Sequence, residues 1–199
     1  MSNLVRAESP LQHADFAELA THKTEGGVIL HEAKLLGHLN LRGDSSDPEF
    51  LRGVKSVLDL DLPILPCSSA QNANTMIMWL SPDEWLIIIA GGTEEAVEEK
   101  LRQSLSGHFA VSDISGAQTM LEISGKDCLQ LLQKSIGYDL HLHSFPINKV
   151  IGTALAKSSA HIRRTGELSF QLIIRRSFAD YIWLWLLHSS KEYGLSVTV

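Results

Sequence analysis

Apolar positions along this chain recur with two periods, and the switches between them lay out strands and helices. Leu39 and Leu41 alternate with polar neighbours, so Leu36–Leu41 predicts a strand. Asp47-Pro48 predicts a helix start, with Asp as N-cap and Pro at the first helical position, where no backbone donor is lost. Phe50, Leu51, Val54, Val57 and Leu58 follow on one helical face. Residues 61–74, with two prolines and small polar residues, predict a loop. Met76–Leu80 predicts a strand and Ser81-Pro82-Asp83-Glu84 a hairpin turn. Trp85–Ala90 is apolar on both faces, which places it centrally in a sheet. Gly91-Gly92 then leads into a helix expected to be capped by Thr93, with Glu94 and Glu95 in its positive first turn and Val97, Leu101 and Leu105 inward.

The same order follows again. Thr119, Leu121 and Ile123 alternate as a strand, and Ser124-Gly125-Lys126-Asp127 has capping-box form ahead of a helix with Cys128, Leu129, Leu132 and Ile136 on one face. Val150–Lys157, His161–Arg164 and Leu168–Arg175 predict three strands, with a hairpin turn at Thr165-Gly166. Ser177-Phe178-Ala179-Asp180 predicts a second capping box. It opens a helix with Phe178, Tyr181, Ile182, Trp185 and Leu186 inward and Trp183 off that stripe. Leu195–Val199 is read as an added edge strand.

Leu39, Leu41 and Gly43 correspond to Leu121, Ile123 and Gly125 at an offset of 82, and Trp85–Ile89 corresponds to Phe170–Ile174 at an offset of 85. A near-constant offset is the mark of internal duplication. The fold expected is α+β, two β-β-α-β-β-β-α halves with mainly antiparallel sheets. Residues 27–109 and 110–199 are the halves of one domain, and each is too small for a good core of its own. Residues 1–26 form an N-terminal arm with a short helix over Leu11–Ala20, placed to pack on a neighbour.

Net charge and cysteines narrow the function. The formal charge of −6 argues against a generic nucleic-acid binder, which needs a basic surface. Cys67 and Cys128 match no ligand spacing and read as reduced thiols in a cytoplasmic protein. Met1–Glu8 carries no apolar core of a signal peptide, and the longest apolar run, Tyr181–Leu187, is too short to span a membrane.

Candidate chemistry is sparse. Gly91-Gly92-Thr93 presents backbone donors at a helix start, but Glu94 and Glu95 would repel an anion there. His141 and His143 fall on one side of an extended segment without a third metal ligand nearby. Ser112-Asp113 lacks a nucleophile-elbow motif, and Asp113 is better read as capping a turn. No catalytic, cofactor-binding or metal-binding residue is assigned.

Trp79-Leu80-Ser81-Pro82-Asp83-Glu84-Trp85-Leu86 and Arg175-Arg176-Ser177-Phe178-Ala179-Asp180-Tyr181-Ile182-Trp183 resemble the gamma subunit of heterotetrameric sarcosine oxidase. Leu39-Asn40-Leu41-Arg42-Gly43 and Phe145-Pro146 stand in that family's order, and the resemblance runs from about residue 27 to 188. More distantly, Asp113-Ile114-Ser115 with Leu121-Glu122-Ile123-Ser124-Gly125-Lys126-Asp127 is similar to the glycine-cleavage aminomethyltransferase and its folate-binding relatives.

The resemblance implies the folate-binding-domain-like fold, with the first strands of the halves swapped. It implies a non-catalytic partner of an alpha subunit, alongside beta and delta. That complex oxidises sarcosine to glycine with production of hydrogen peroxide and, with tetrahydrofolate, of methylenetetrahydrofolate. FAD, FMN, NAD and tetrahydrofolate are implied in the alpha and beta subunits and zinc in delta, with no cofactor in this chain. Folate-using relatives carry an acidic residue in the hairpin region after the first helix, whereas Cys67–Leu80 contains no Asp or Glu. The Lys-Gly-Cys signature of a second folate-binding class is also absent. The pairs Arg163-Arg164 and Arg175-Arg176 present guanidinium forks to a folate tail or to acidic residues of a partner, or rim the sheet in solvent. The rival reading is a free-standing folate-binding aminomethyltransferase-like protein.

Overall fold

The computed structural model describes residues 7–21 and 26–199; the remainder of the arm lies outside the described residues. Its elements in chain order are α1 (Phe16–Thr21), β1 (Val28–Ala33), β2 (Gly37–Arg42), α2 (Pro48–Leu58), β3 (Ser69–Gln71), β4 (Thr75–Ser81), β5 (Glu84–Ile89), α3 (Glu94–Ser104), β6 (Ala110–Asp113), β7 (Gln118–Ser124), α4 (Cys128–Gln133), β8 (Val150–Leu155), β9 (Ser158–Gly166), β10 (Ser169–Arg175), α5 (Ala179–Ser189) and β11 (Leu195–Thr198).

Two sheets result. One has the order β3-β4-β5-β2-β6 and the other β11-β1-β7-β10-β9-β8. All pairings are antiparallel except that of β1 with the edge strand β11. β5 is the middle strand of its sheet, and Trp85–Ile89 are all buried, as their two-faced apolarity predicts. β1 does not pair with β2, its neighbour in sequence. It pairs with β7 and β11, while β6 crosses to pair with β2.

Alternation along the strands sorts side chains into three clusters. Leu39, Leu41, Ile77, Trp85 and Ile87 meet α2 and α3 through Phe50, Val54 and Leu101. Leu121, Ile123, Phe170, Leu172 and Ile174 meet α4 and α5 through Leu131, Leu132, Ile182 and Leu186. The opposite faces, Met76, Met78, Leu86 and Ile88 against Met120, Val150 and Ile173, pack on each other. The layers are therefore helix, sheet, sheet, helix.

Gly43 and Gly125 are required for different reasons. A Cβ on Gly43 would lie 2.3 Å from the Phe50 ring. Gly125 adopts a φ of +110°, and a Cβ there would lie 2.5 Å from Gly27 O.

Some expectations shift. A short strand, β3, lies inside the stretch predicted as loop, held on β4 through Ser69–Gln71. The hairpin between β9 and β10 turns at Glu167-Leu168, two residues beyond Thr165-Gly166, because Gly166 still pairs with Ser169. Asp47 caps α2 as predicted, accepting from Glu49 N at 2.8 Å. Thr93 does not cap α3; its hydroxyl donates to Ala90 O at 2.6 Å. Neither predicted capping box forms: Ser124 stays in β7, Ser177 falls within a 3-10 turn, and α4 and α5 begin without side-chain caps.

Trp183, read as lying off the inner stripe, is buried, and Phe178 is exposed instead. The cause is α1. Phe16 packs on Trp183 with ring centroids 4.9 Å apart, and Leu11 joins the same cluster. The described part of the arm thus packs on its own chain, as a 3-10 turn over Gln12–Ala14 followed by α1, where a helix over Leu11–Ala20 was predicted.

Candidate functional site

Polar chemistry concentrates between the two sheets, on either side of their apolar contact. At one end stands Arg163 of β9, 4% exposed, its side chain sharing the face of Gln171 on β10. Its Nε donates to Ser69 Oγ at 2.9 Å, Nη1 to Gln71 Oε1 at 2.7 Å and Gln171 Oε1 at 3.0 Å, and Nη2 to Asn148 Oδ1 at 2.8 Å. Gln171 Nε2 in turn donates to Glu122 Oε1 at 2.9 Å. Burial pushes the guanidinium below its ordinary pKa, and no carboxylate among the described residues touches it directly. Such a buried cation is stable only when most of its donors are engaged, and four of its five N–H groups are engaged here. Ser69 and Gln71 lie in Cys67–Leu80, the stretch without an acidic residue, and Arg163 occupies the space in front of it.

Arg164 points to the opposite face. It donates to the carbonyls of Gly166, Leu140, Phe145 and Glu167 and lies 5.0 Å from the Phe170 ring centroid. Both members of this pair are consumed internally and cannot receive a folate tail or a partner. The other pair, Arg175 and Arg176, is exposed. Arg176 donates to Glu8 O at 3.1 Å, and the Arg175 side chain makes no hydrogen bond or ion pair among the described residues.

At the other end of the intersheet space is a cleft of about 470 Å3. Asn40 and Glu84 come from the five-stranded sheet, and His161 and Arg175 from the six-stranded one. Gln118 of β7 closes it. Glu84 Oε1 accepts from Asn40 Nδ2 at 2.8 Å. Burial lowers the His161 pKa, with Glu84 opposing and Arg175 adding to the effect. Gln118 Oε1 is buried without a hydrogen-bond partner.

His38, not singled out by sequence, is 1% exposed, and both ring nitrogens lack partners. Burial pushes its pKa down to about 4, against the pull of Asp113 and Glu94. Its place two residues before Asn40 in an alternating strand was the available signal.

The remaining candidates do not converge. His141 and His143 are exposed, linked by His143 N donating to His141 Nδ1 at 3.3 Å. Among the described residues no group of three His, Cys, Asp or Glu could hold a metal. Gly92 N donates to Glu94 Oε1 at 3.0 Å, so the acid fills the donor an anion would need. Asp113 Oδ1 accepts from Ser115 N at 2.9 Å and caps that turn as read. Cys67 and Cys128 are free thiols; burial raises Cys128 to about 11. Among the described residues no helix is long and apolar enough to cross a membrane.

The model of the sarcosine oxidase gamma subunit family matches residues 42–192. The chain belongs to this family. A gamma subunit from Arthrobacter sp is 32% identical over 188 residues, covering 94% of this chain and 91% of the relative. Among solved structures, heterotetrameric sarcosine oxidase from Corynebacterium sp. U-96 contains a chain that superposes with a TM-score of 0.84 at 27% identity, covering 97% of this chain and 98% of that one. The gamma subunit fold is also that of glycine cleavage aminomethyltransferase T from Bartonella henselae, at a TM-score of 0.63 and 15% identity; there this chain covers half of the larger protein.

Proposed function

We propose that this chain is a non-catalytic structural subunit of a heterotetrameric sarcosine oxidase. It joins the alpha subunit directly, with beta and delta completing the complex. The complex oxidises sarcosine to glycine, reduces oxygen to hydrogen peroxide and, with tetrahydrofolate, releases the methyl carbon as methylenetetrahydrofolate. FAD, FMN, NAD, tetrahydrofolate and zinc belong to the partner subunits, and the assembly is cytoplasmic. The two halves, 27–109 and 110–199, are diverged copies of one unit, and the exchange of β1 and β6 between sheets fits that origin.

The observation that carries this reading is the near full-length likeness to a chain of the Corynebacterium enzyme. Arg163 supports it further: its guanidinium stands against the Cys67–Leu80 stretch, where folate-using relatives are expected to present an acid. Co-expression with the alpha subunit should yield one complex through gel filtration, and the isolated chain should be colourless. Separation of the two at micromolar concentration overturns the proposal.

The aminomethyltransferase-like fold favours a second reading, a free-standing folate-binding protein. Calorimetric titration of the chain alone with tetrahydrofolate separates the two: saturable heat supports the second, none the first.

A further inference from the structure

The intersheet cleft carries charges of opposite sign on opposite walls. Glu84 projects from β5 on the same alternating face as Leu86 and Ile88, which pack against the other sheet. Arg175 projects from β10 on the face of Ile173, and His161 from β9 beside it. No salt bridge joins Glu84 to Arg175. The Arg175 side chain has no hydrogen-bond partner among the described residues. A guanidinium fork is shaped for a carboxylate.

We propose that this cleft binds a small zwitterion, an α-amino acid, with its carboxylate on Arg175 and its ammonium on Glu84. The charges exclude the alternatives. A bare carboxylate meeting Arg175 would also face Glu84, and a bare ammonium meeting Glu84 would face Arg175. Only a molecule with both groups satisfies both walls. The volume, about 470 Å3, lies in the range of small-molecule sites and leaves room for a side chain. Ile114, Leu80 and Ile173 would receive its apolar part. The inference does not rest on the subunit reading above.

The test is calorimetric titration of the full chain, or of its complex if it purifies as one, with glycine and a panel of L-amino acids. Acetate and methylammonium serve as single-charge probes. At least one amino acid should give saturable heat, and neither single-charge probe should. Arg175→Gln should weaken binding about tenfold or more, since charged hydrogen bonds are worth that much. Arg176→Gln, the neighbour that does not line the cleft, should leave it within about twofold by the same scale. Glu84→Gln, a second variant, should admit acetate. Circular dichroism confirms that each variant is folded. No heat from any amino acid, acetate binding as tightly as the amino acids, or equal losses in the two arginine variants would each overturn the proposal.

Discussion

The Nε of Arg163 reaches across the intersheet space to Ser69 Oγ, 2.9 Å away, tying β9 of one sheet to the short β3 of the other. The same guanidinium also holds Gln71, Gln171 and Asn148.

Replacing Arg163 by Met strands those four groups. The expected loss is roughly 3 kcal/mol, the scale for breaking a buried charged network. Lys should not restore it, because one ammonium cannot span acceptors arranged around a planar fork. Urea denaturation of both variants is the measurement, and a midpoint unchanged in Arg163→Met refutes the account.

Stability should fall on mild acidification through His38. Its folded pKa is depressed to about 4 from an ordinary 6.5. The unfolded state therefore binds more protons between these values, so stability is full above about pH 6.5 and is lost as pH falls toward 4. The loss amounts to roughly 3 kcal/mol for a shift of this size. His161 acts in the same direction. Unfolding free energies at several pH values should slope less in His38→Leu than in the native chain; equal slopes would remove His38 from the account.

The two cysteines should separate by reactivity. Cys128 is buried, its thiol donates to Leu168 O at 3.2 Å, and burial pushes its pKa to about 11. Thiolate is the reactive form, so Cys128 should resist a thiol reagent near neutral pH until the chain unfolds. Cys67 is only partly buried. Mass spectrometry after brief labelling should place the adduct on Cys67; native labelling of Cys128 would contradict the packing.

Two residues with the same local signature should differ on substitution. Asp47→Ala removes a working cap from α2 and should cost about 1 kcal/mol. Thr93→Ala removes a hydroxyl that serves Ala90 O and not the helix, and should cost less. Thermal denaturation distinguishes them, and equal losses would mean that Thr93 caps α3 in solution.

That pair also marks what was legible in the sequence. Asp47-Pro48 needs only its own first turn, and the two-faced strand Trp85–Ile89 announces burial by composition, so both are found where expected. Trp183 was misplaced because its burial depends on Phe16, distant in sequence. Gln171, polar within Phe170–Ile174, hinted at an inner polar row, but nothing local reveals that Arg163 completes it from the neighbouring strand. The Arg175 wall was legible as a basic pair; the opposing Glu84 wall emerges only when the sheets face each other.

The exchange of β1 and β6 has a consequence for the newborn chain. The ribosome makes β1 early, at about 5–20 residues per second. Its hydrogen-bonding partners are residues 120–124 and 195–198. Val28 and Leu30 and both edges of β1 therefore wait unpaired until β7 is made, the kind of exposure that recruits chaperones. The five-stranded sheet can close once Ala110–Asp113 is made, but the six-stranded sheet waits for Leu195–Thr198.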